Sequence, residues 1–271
     1  MSSMRVALVQ MTSSDRPDDN MARAEELIRQ AADGQPDLVA LPENFLYLRA
    51  EGDQPGFSED AEMGEHVGLL RSLARELGVW ILAGSIPERI EGSDKIHNTS
   101  LLLGRRGDVH AAYRKIHLFD VTLPDGVALK ESKYVAPGAE VVTADTDLCK
   151  VGLTVCYDLR FPELYRRLTR AGAEVIFVPS AFTAQTGKDH WHVLLRARAI
   201  ENQVYIVAPA QIGRHSDRRQ SYGHSLVADP WGKIIAEAAD QEGAIVTADL
   251  DLEHLRKIRR QLPCLEHTRL L

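Results

Sequence analysis

The chain is poor in cysteine, in net positive charge and in long apolar runs. Its three cysteines, at 149, 156 and 264, fit neither a disulfide framework nor a zinc spacing, so a reducing compartment and a cytoplasmic location are expected. No apolar run reaches the ~20 residues of a membrane-spanning helix, and the N-terminus lacks the charged and apolar regions of a signal peptide. Lys and Arg number 32 against 39 Asp and Glu, a net charge of −7. Nucleic acid is therefore not an expected partner, because phosphate binding draws on clustered cations and the one basic cluster, RHSDRR at 214–219, is local. Also missing are a Gly-rich phosphate loop, G-x-S-x-G and H-E-x-x-H, which sets aside nucleotide transfer, serine hydrolysis and zinc proteolysis. The tripeptide NTS at 98–100 matches a glycosylation acceptor, but a chain that stays outside the secretory route is not modified there.

What is present is enough apolar material for a sizeable core: 44% of 271 residues. No Pro/Gly/Ser-rich linker divides the sequence, so 1–271 reads as a single domain. RVALVQM (5–11) and DLVALPE (37–43) read as buried strands around a helix near 21–32, and a second helix follows near 62–77. Three strand candidates then succeed one another: VWILAGSI, NTSLLLG and DVHAAYRKI. Beyond a polar loop at 117–139, strands alternate with helices again: KVGLTVC, a helix from Pro162, EVIFVP, a helix near 188–202 and VYIVAPA. HSLVADP, GKIIAEA and GAIVTADL read as further strands, and a last helix lies near 252–261. This mixture of crossovers and adjacent strand pairs predicts an α/β fold of mixed sheets covered by helices.

In KVGLTVC, alternation places Cys156 on one face with Gly152 and Thr154, small neighbours that leave room for a ligand. Pro162 marks a helix start beyond it, whose N–H groups favour a thiolate. Taken alone, Cys156 reads first as an inert core thiol, as an isolated strand cysteine usually is, and Cys149 and Cys264 keep that reading. Glu43 ends an apolar strand after a proline, where desolvation would raise its proton affinity; Lys115 ends DVHAAYRK, where an ammonium can stabilise a negative oxygen. A solvated loop acid and an exposed strand-end lysine remain open for these two. Glu131, in a polar loop, is not singled out by its spacing. His117 offers Cys156 a different base, as in a thiol peptidase. His190 and His192, two apart on a helix, point to different sides and do not suggest a shared metal, while Asp158 and Arg160 read as a structural pair.

Read together, LPEN at 41–44, YRKIHLFD at 113–120 and VCYDLRFPEL at 155–164 resemble the three signature segments of the nitrilase superfamily of carbon-nitrogen hydrolases. The resemblance implies a four-layer α-β-β-α sandwich, chains that associate at least as homodimers through helices near 161–171 and 188–202, and no cofactor or metal. It implies Cys156 as nucleophile, Glu43 as general base and acid, and Lys115 with the Tyr157 backbone N–H as oxyanion donors. Glu131 becomes the second glutamate of the family, positioning Lys115 or the substrate. The activity implied is hydrolysis of a small-molecule amide through a thioester, with ammonia release. Residues 179–232 most resemble the Nit-type branch acting on deaminated glutathione. The ω-amidases acting on α-ketoglutaramate, N-carbamoyl amide hydrolases and a catalytically idle binding protein are the alternatives. Arg214, Arg218 and Arg219 are candidates to pair with a distal substrate carboxylate.

Overall fold

The computed structural model describes residues 3–49, 56–122, 126, 128–217 and 219–270. The first half runs β1 (Ser3–Val9), α1 (Pro17–Ala32), β2 (Leu38–Ala40), α2 (Glu65–Leu77), β3 (Trp80–Arg89), β4 (Ile96–Leu103) and β5 (Val109–Arg114). Then come β6 (Asp120–Thr122), β7 (Ala128–Lys130), a 3₁₀ turn Glu131–Lys133, β8 (Thr143–Asp145), β9 (Lys150–Leu153) and a 3₁₀ turn Cys156–Arg160. The second half continues with α3 (Pro162–Arg170), β10 (Val175–Phe177), α4 (Ala184–Asn202), β11 (Tyr205–Ala208), β12 (Ile212–Ser216) and β13 (Arg219–Tyr222). It closes with β14 (Leu226–Ala228), β15 (Ile234–Glu237), β16 (Ile245–Asp251) and α5 (Leu252–Gln261).

Two six-stranded sheets result, in the orders β16-β1-β2-β3-β4-β5 and β15-β14-β11-β10-β9-β8. Each has a parallel trio, β1-β2-β3 and β9-β10-β11, flanked by antiparallel strands. Side-chain alternation decides the layering. Met4, Val6 and Leu8 of β1 join the core shared with Val151, Leu153 and Phe177 of the second sheet. Ala7 and Val9 face the other way, onto Leu27 and Ile28 of α1 and Leu70 and Leu73 of α2. On the far side, Leu164 and Leu168 of α3 and Trp191 and Leu195 of α4 cover the second sheet. The order is α-β-β-α, as the resemblance implied.

The expected loop at 117–139 instead holds the β6–β7 hairpin and a 3₁₀ turn, and Arg214, Ser216 and Arg219 of the basic cluster pair in a second hairpin, β12–β13. Neither carries the apolar alternation by which a strand is recognised from sequence. No described helix is long and apolar enough to cross a membrane.

Candidate active site

Three strand ends deliver the three expected side chains to one place. β2 stops at Ala40, and the chain continues close against β3, with the Leu41 N–H donating to the Leu82 carbonyl at 2.9 Å. A Cβ at Gly84 would overlap the Pro42 carbonyl oxygen, so only glycine lets β3 pass the segment that carries Glu43. The Asn44 N–H then donates to Ser85 Oγ at 2.9 Å and fixes the turn. Lys115 follows β5 and is clamped through its backbone, its N–H donating to the Asn98 carbonyl at 2.9 Å and its carbonyl accepting from Gly138 at 2.8 Å.

Cys156 lies beyond the end of β9, at φ 47°, a left-handed conformation strained for a residue with a Cβ. Asp158 holds the strain in place: its Oδ2 accepts from the Val155 N–H at 2.8 Å and from the Tyr113 hydroxyl at 2.7 Å, while Pro179 accepts the Cys156 N–H at 3.0 Å. The expected room beside Gly152 and Thr154 does not exist. A Cβ at Gly152 would lie 3.3 Å from Leu168 and Ile176, and the Thr154 hydroxyl donates to the Phe177 carbonyl at 2.7 Å. Space for a ligand comes from the strand ending at Leu153, not from small neighbours along it.

The cluster is buried. Glu43 is 3% exposed and Lys115 2%, so the solvated alternatives for these two fall away, and Glu131, 9% exposed, is buried although it comes from a polar segment. Lys115 Nζ donates to Glu43 Oε1 at 2.9 Å and to Glu131 Oε2 and Oε1 at 2.9 and 3.1 Å. The Phe119 N–H holds Glu131 at 2.7 Å, and the Ala181 N–H donates to Glu43 Oε2 at 2.8 Å. Burial pushes the Cys156 thiol well up, the Glu43 charge adds to this, and nearby Lys115 opposes it without reversing it. For Glu43, burial alone would raise the carboxyl, but the Lys115 ammonium and hydrogen bonds from Lys115, Cys156 and Ala181 hold it below the ordinary range. Lys115 is driven down by burial and carried well above its usual value by Glu131 and Glu43. These directions favour a neutral thiol hydrogen-bonded to a carboxylate beside an ammonium, and they outweigh the pull toward a thiolate that a nearby helix start would exert.

These groups line a cavity of about 260 Å³, whose wall also includes Tyr157, Arg160 and Arg219. Of the three arginines expected at a distal carboxylate, Arg219 is there. Arg214 is not: its side chain is 70% exposed and pairs with Asp217 at 3.7 Å on the outside of the hairpin. Arg218 lies outside the described residues. Arg160 was missed, because Asp158 and Arg160 do not form the expected pair. The 3₁₀ turn sends Asp158 inward and Arg160 to the cavity, where its guanidinium sits 5.1 Å from the Phe182 ring and 3.3 Å from His190 Nδ1. Its place next to the nucleophile was the available signal. Asn98 was passed over too, although it bridges both glutamates.

His117 does not serve Cys156. Its Nδ1 donates to Asp158 Oδ1 at 2.7 Å and its ring stacks on Phe161 at 3.7 Å, which removes the base of the thiol-peptidase alternative. His190 and His192 diverge as expected, His192 Nε2 meeting Glu237 at 2.8 Å. Among the described residues, one trio has the chemistry of metal ligands, His192, His224 and Glu237, with ligand atoms within 4.8 Å of one another. It lies outside the cavity, and Glu237 Oε1 already accepts from both imidazoles at 2.8 Å.

The carbon-nitrogen hydrolase family model matches residues 5–260. A deaminated glutathione amidase of Synechocystis sp. is 44% identical over 269 residues, 96% of this chain and 96% of that protein. Among solved structures, the C. elegans NitFhit protein superposes with a TM-score of 0.91 at 35% identity, covering 99% of this chain and 66% of that longer one. Saccharomyces cerevisiae Nit3, a member of branch 10 of the nitrilase superfamily, superposes with a TM-score of 0.86 at 36% identity over 97% of this chain and 95% of that one. Sequence, fold and comparisons agree: the chain belongs to the carbon-nitrogen hydrolase family and is a hydrolase of non-peptide carbon–nitrogen bonds.

Proposed function

We propose that the chain is a deaminated glutathione amidase working through a Cys156 thioester. The observation that carries the reading is the buried contact of Glu43, Lys115 and Cys156 at the floor of a cavity with Arg160 and Arg219 in its wall. Glu43 takes the thiol proton as the sulfur attacks the amide carbonyl. The Lys115 ammonium and the Tyr157 backbone N–H stabilise the oxyanion, and Glu131 steadies Lys115. Glu43 then hands its proton to the departing amine. Water, deprotonated by Glu43, cleaves the thioester and frees the acid and the thiol.

Substrate chemistry separates the two leading amides. α-Ketoglutaramate is a primary amide and releases ammonia, whereas both amides of deaminated glutathione are secondary and the γ-amide releases cysteinylglycine, so the ammonia release implied by the resemblance does not hold for that substrate. Both give α-ketoglutarate. Deaminated glutathione carries a carboxylate at each end, and two cavity arginines suit it better than a one-carboxylate amide. The name of the Synechocystis relative supports the same choice.

Three coarser proposals accompany it. Residues 1–271 act as one domain, a reading supported by the core that both sheets share. The enzyme is cytoplasmic, supported by three free cysteines. It forms a homodimer through the α3–α4 side, supported by the exposed Val193 and Ile200 of α4 and Trp231 beside them.

The test measures α-ketoglutarate formed from deaminated glutathione and from α-ketoglutaramate under matched conditions. A higher kcat/KM on deaminated glutathione is expected. The reverse order assigns the chain to the ω-amidases, and cleavage of an N-carbamoyl amide alone to that branch. Turnover retained in folded Cys156→Ala, or no amide cleaved by the wild type, overturns the mechanism.

A further inference from the structure

Asn98, on β4, is 5% exposed and lies against the floor of the cavity. Its Nδ2 donates to Glu43 Oε1 at 3.0 Å and to Glu131 Oε1 at 3.2 Å, while its backbone carbonyl accepts the Lys115 N–H at 2.9 Å. Its own Oδ1 is buried with no hydrogen-bond partner among the described residues. Turning the amide over would bring that oxygen against two carboxylates, so charge fixes the orientation and leaves Oδ1 unpaired. A buried polar atom left unsatisfied beside reacting groups marks a side chain retained for its donors.

Lys115 shows what those donors do. Its three N–H bonds are directed to three carboxylate oxygens, one on Glu43 and two on Glu131. An ammonium so committed has nothing to offer an oxyanion unless another donor takes over part of the load.

We propose that Asn98 is a positioning residue: its amide holds the inner oxygens of Glu43 and Glu131, which frees one Lys115 N–H to turn toward the oxyanion. It also supplies a neutral donor where two carboxylates surround a single cation, and so favours the ionised form of Glu43. The titratable groups facing Glu43 are Lys115 and Cys156, with Glu131 across Lys115.

The inference rests on Glu43 being the base, and the experiment separates the two. In Asn98→Leu, which keeps the branched four-atom skeleton of the side chain and removes the donors, kcat falls by roughly 10- to 100-fold with KM within about threefold. The acid limb of kcat/KM moves up by about one pH unit, because a charge-assisted hydrogen bond to the carboxylate is gone. The pH dependence of Cys156 alkylation by iodoacetamide moves with it, read against Cys156→Ala. Asn98→Ser is measured in parallel. A drop in rate with both pH profiles unmoved in a folded variant makes Asn98 merely structural and overturns the proposal, as does failure of both variants to fold. Full turnover in Glu43→Gln would instead reject the base assignment.

Discussion

Replacing Lys115 with methionine keeps the length of the side chain and removes the cation that bridges Glu43 and Glu131. Glu43 is 3% exposed and Lys115 2%, so the loss leaves buried carboxylate charge without compensation. Breaking a buried pair in this way costs about 3–5 kcal/mol. For a chain of this size that corresponds to a Tm lower by roughly 6–20 °C. The deficit has a pH signature. In the wild type, Glu43 is held below its ordinary value of 4.5, so its contribution is complete above that pH and fades as the solution is acidified further. In Lys115→Met, the burial that already acts on Glu43 is no longer opposed by an ammonium and pushes its carboxyl up instead. Its folded form then favours the proton, and stability is regained as pH falls from 7.5 toward 5.5. Circular-dichroism melts of both proteins at the two pH values measure this. The gap in Tm should be wide at pH 7.5 and narrow at pH 5.5, with turnover absent throughout. An equal gap at both pH values would mean that the lost contribution is packing, and no gap at all would refute the buried-charge argument.

Two further substitutions test the wall and the support of the site. Arg160→Ala removes a guanidinium from the cavity wall, and KM for deaminated glutathione should rise by about 10- to 100-fold with kcat within threefold, the loss of one charge-assisted pair; steady-state kinetics with an unchanged KM would exclude Arg160 from substrate binding. Asp158→Ala leaves the Tyr113 hydroxyl, the Val155 and His117 N–H groups and the His117 ring without their acceptor, so urea unfolding should show a loss of about 3 kcal/mol or more, and an unchanged midpoint would count against Asp158 as the brace of the nucleophile turn.

The apolar periodicity made most of the architecture legible, because both parallel trios consist of buried strands bounded by turns. Short polar elements were not. β6, β7 and β13 carry few apolar residues to set a period, yet they decide where Glu131 and Arg219 stand. For Glu43 and Lys115, the types and strand-end positions were readable but burial was not, since it depends on how two sheets close over their ends. In the sequence Asn98 opens a strand candidate and a glycosylation tripeptide; its meaning lies in two glutamates 55 and 33 residues away. Asp158 and Arg160 show the limit of local reading. Two residues apart and opposite in charge, they look like partners, and a single 3₁₀ turn separates their roles.

The protonation pattern also explains why a thiol with raised proton affinity is no handicap in the proposed mechanism. At rest Lys115 is shared between Glu43 and Glu131, and the neutral Cys156 thiol adds no charge. When Glu43 takes the thiol proton, the carboxylate charge disappears as the sulfur attack transfers an equal charge to the substrate oxygen. The buried site therefore never holds a second uncompensated charge; one negative charge moves from one side of Lys115 to another. A preformed thiolate would place sulfur, Glu43 and Glu131 around one ammonium before any substrate arrived, and the cost of desolvating that extra charge would fall on the resting enzyme. Holding the thiol neutral defers ionisation until the amide carbonyl is there to receive the charge, which is the difference between ground and transition state that catalysis requires.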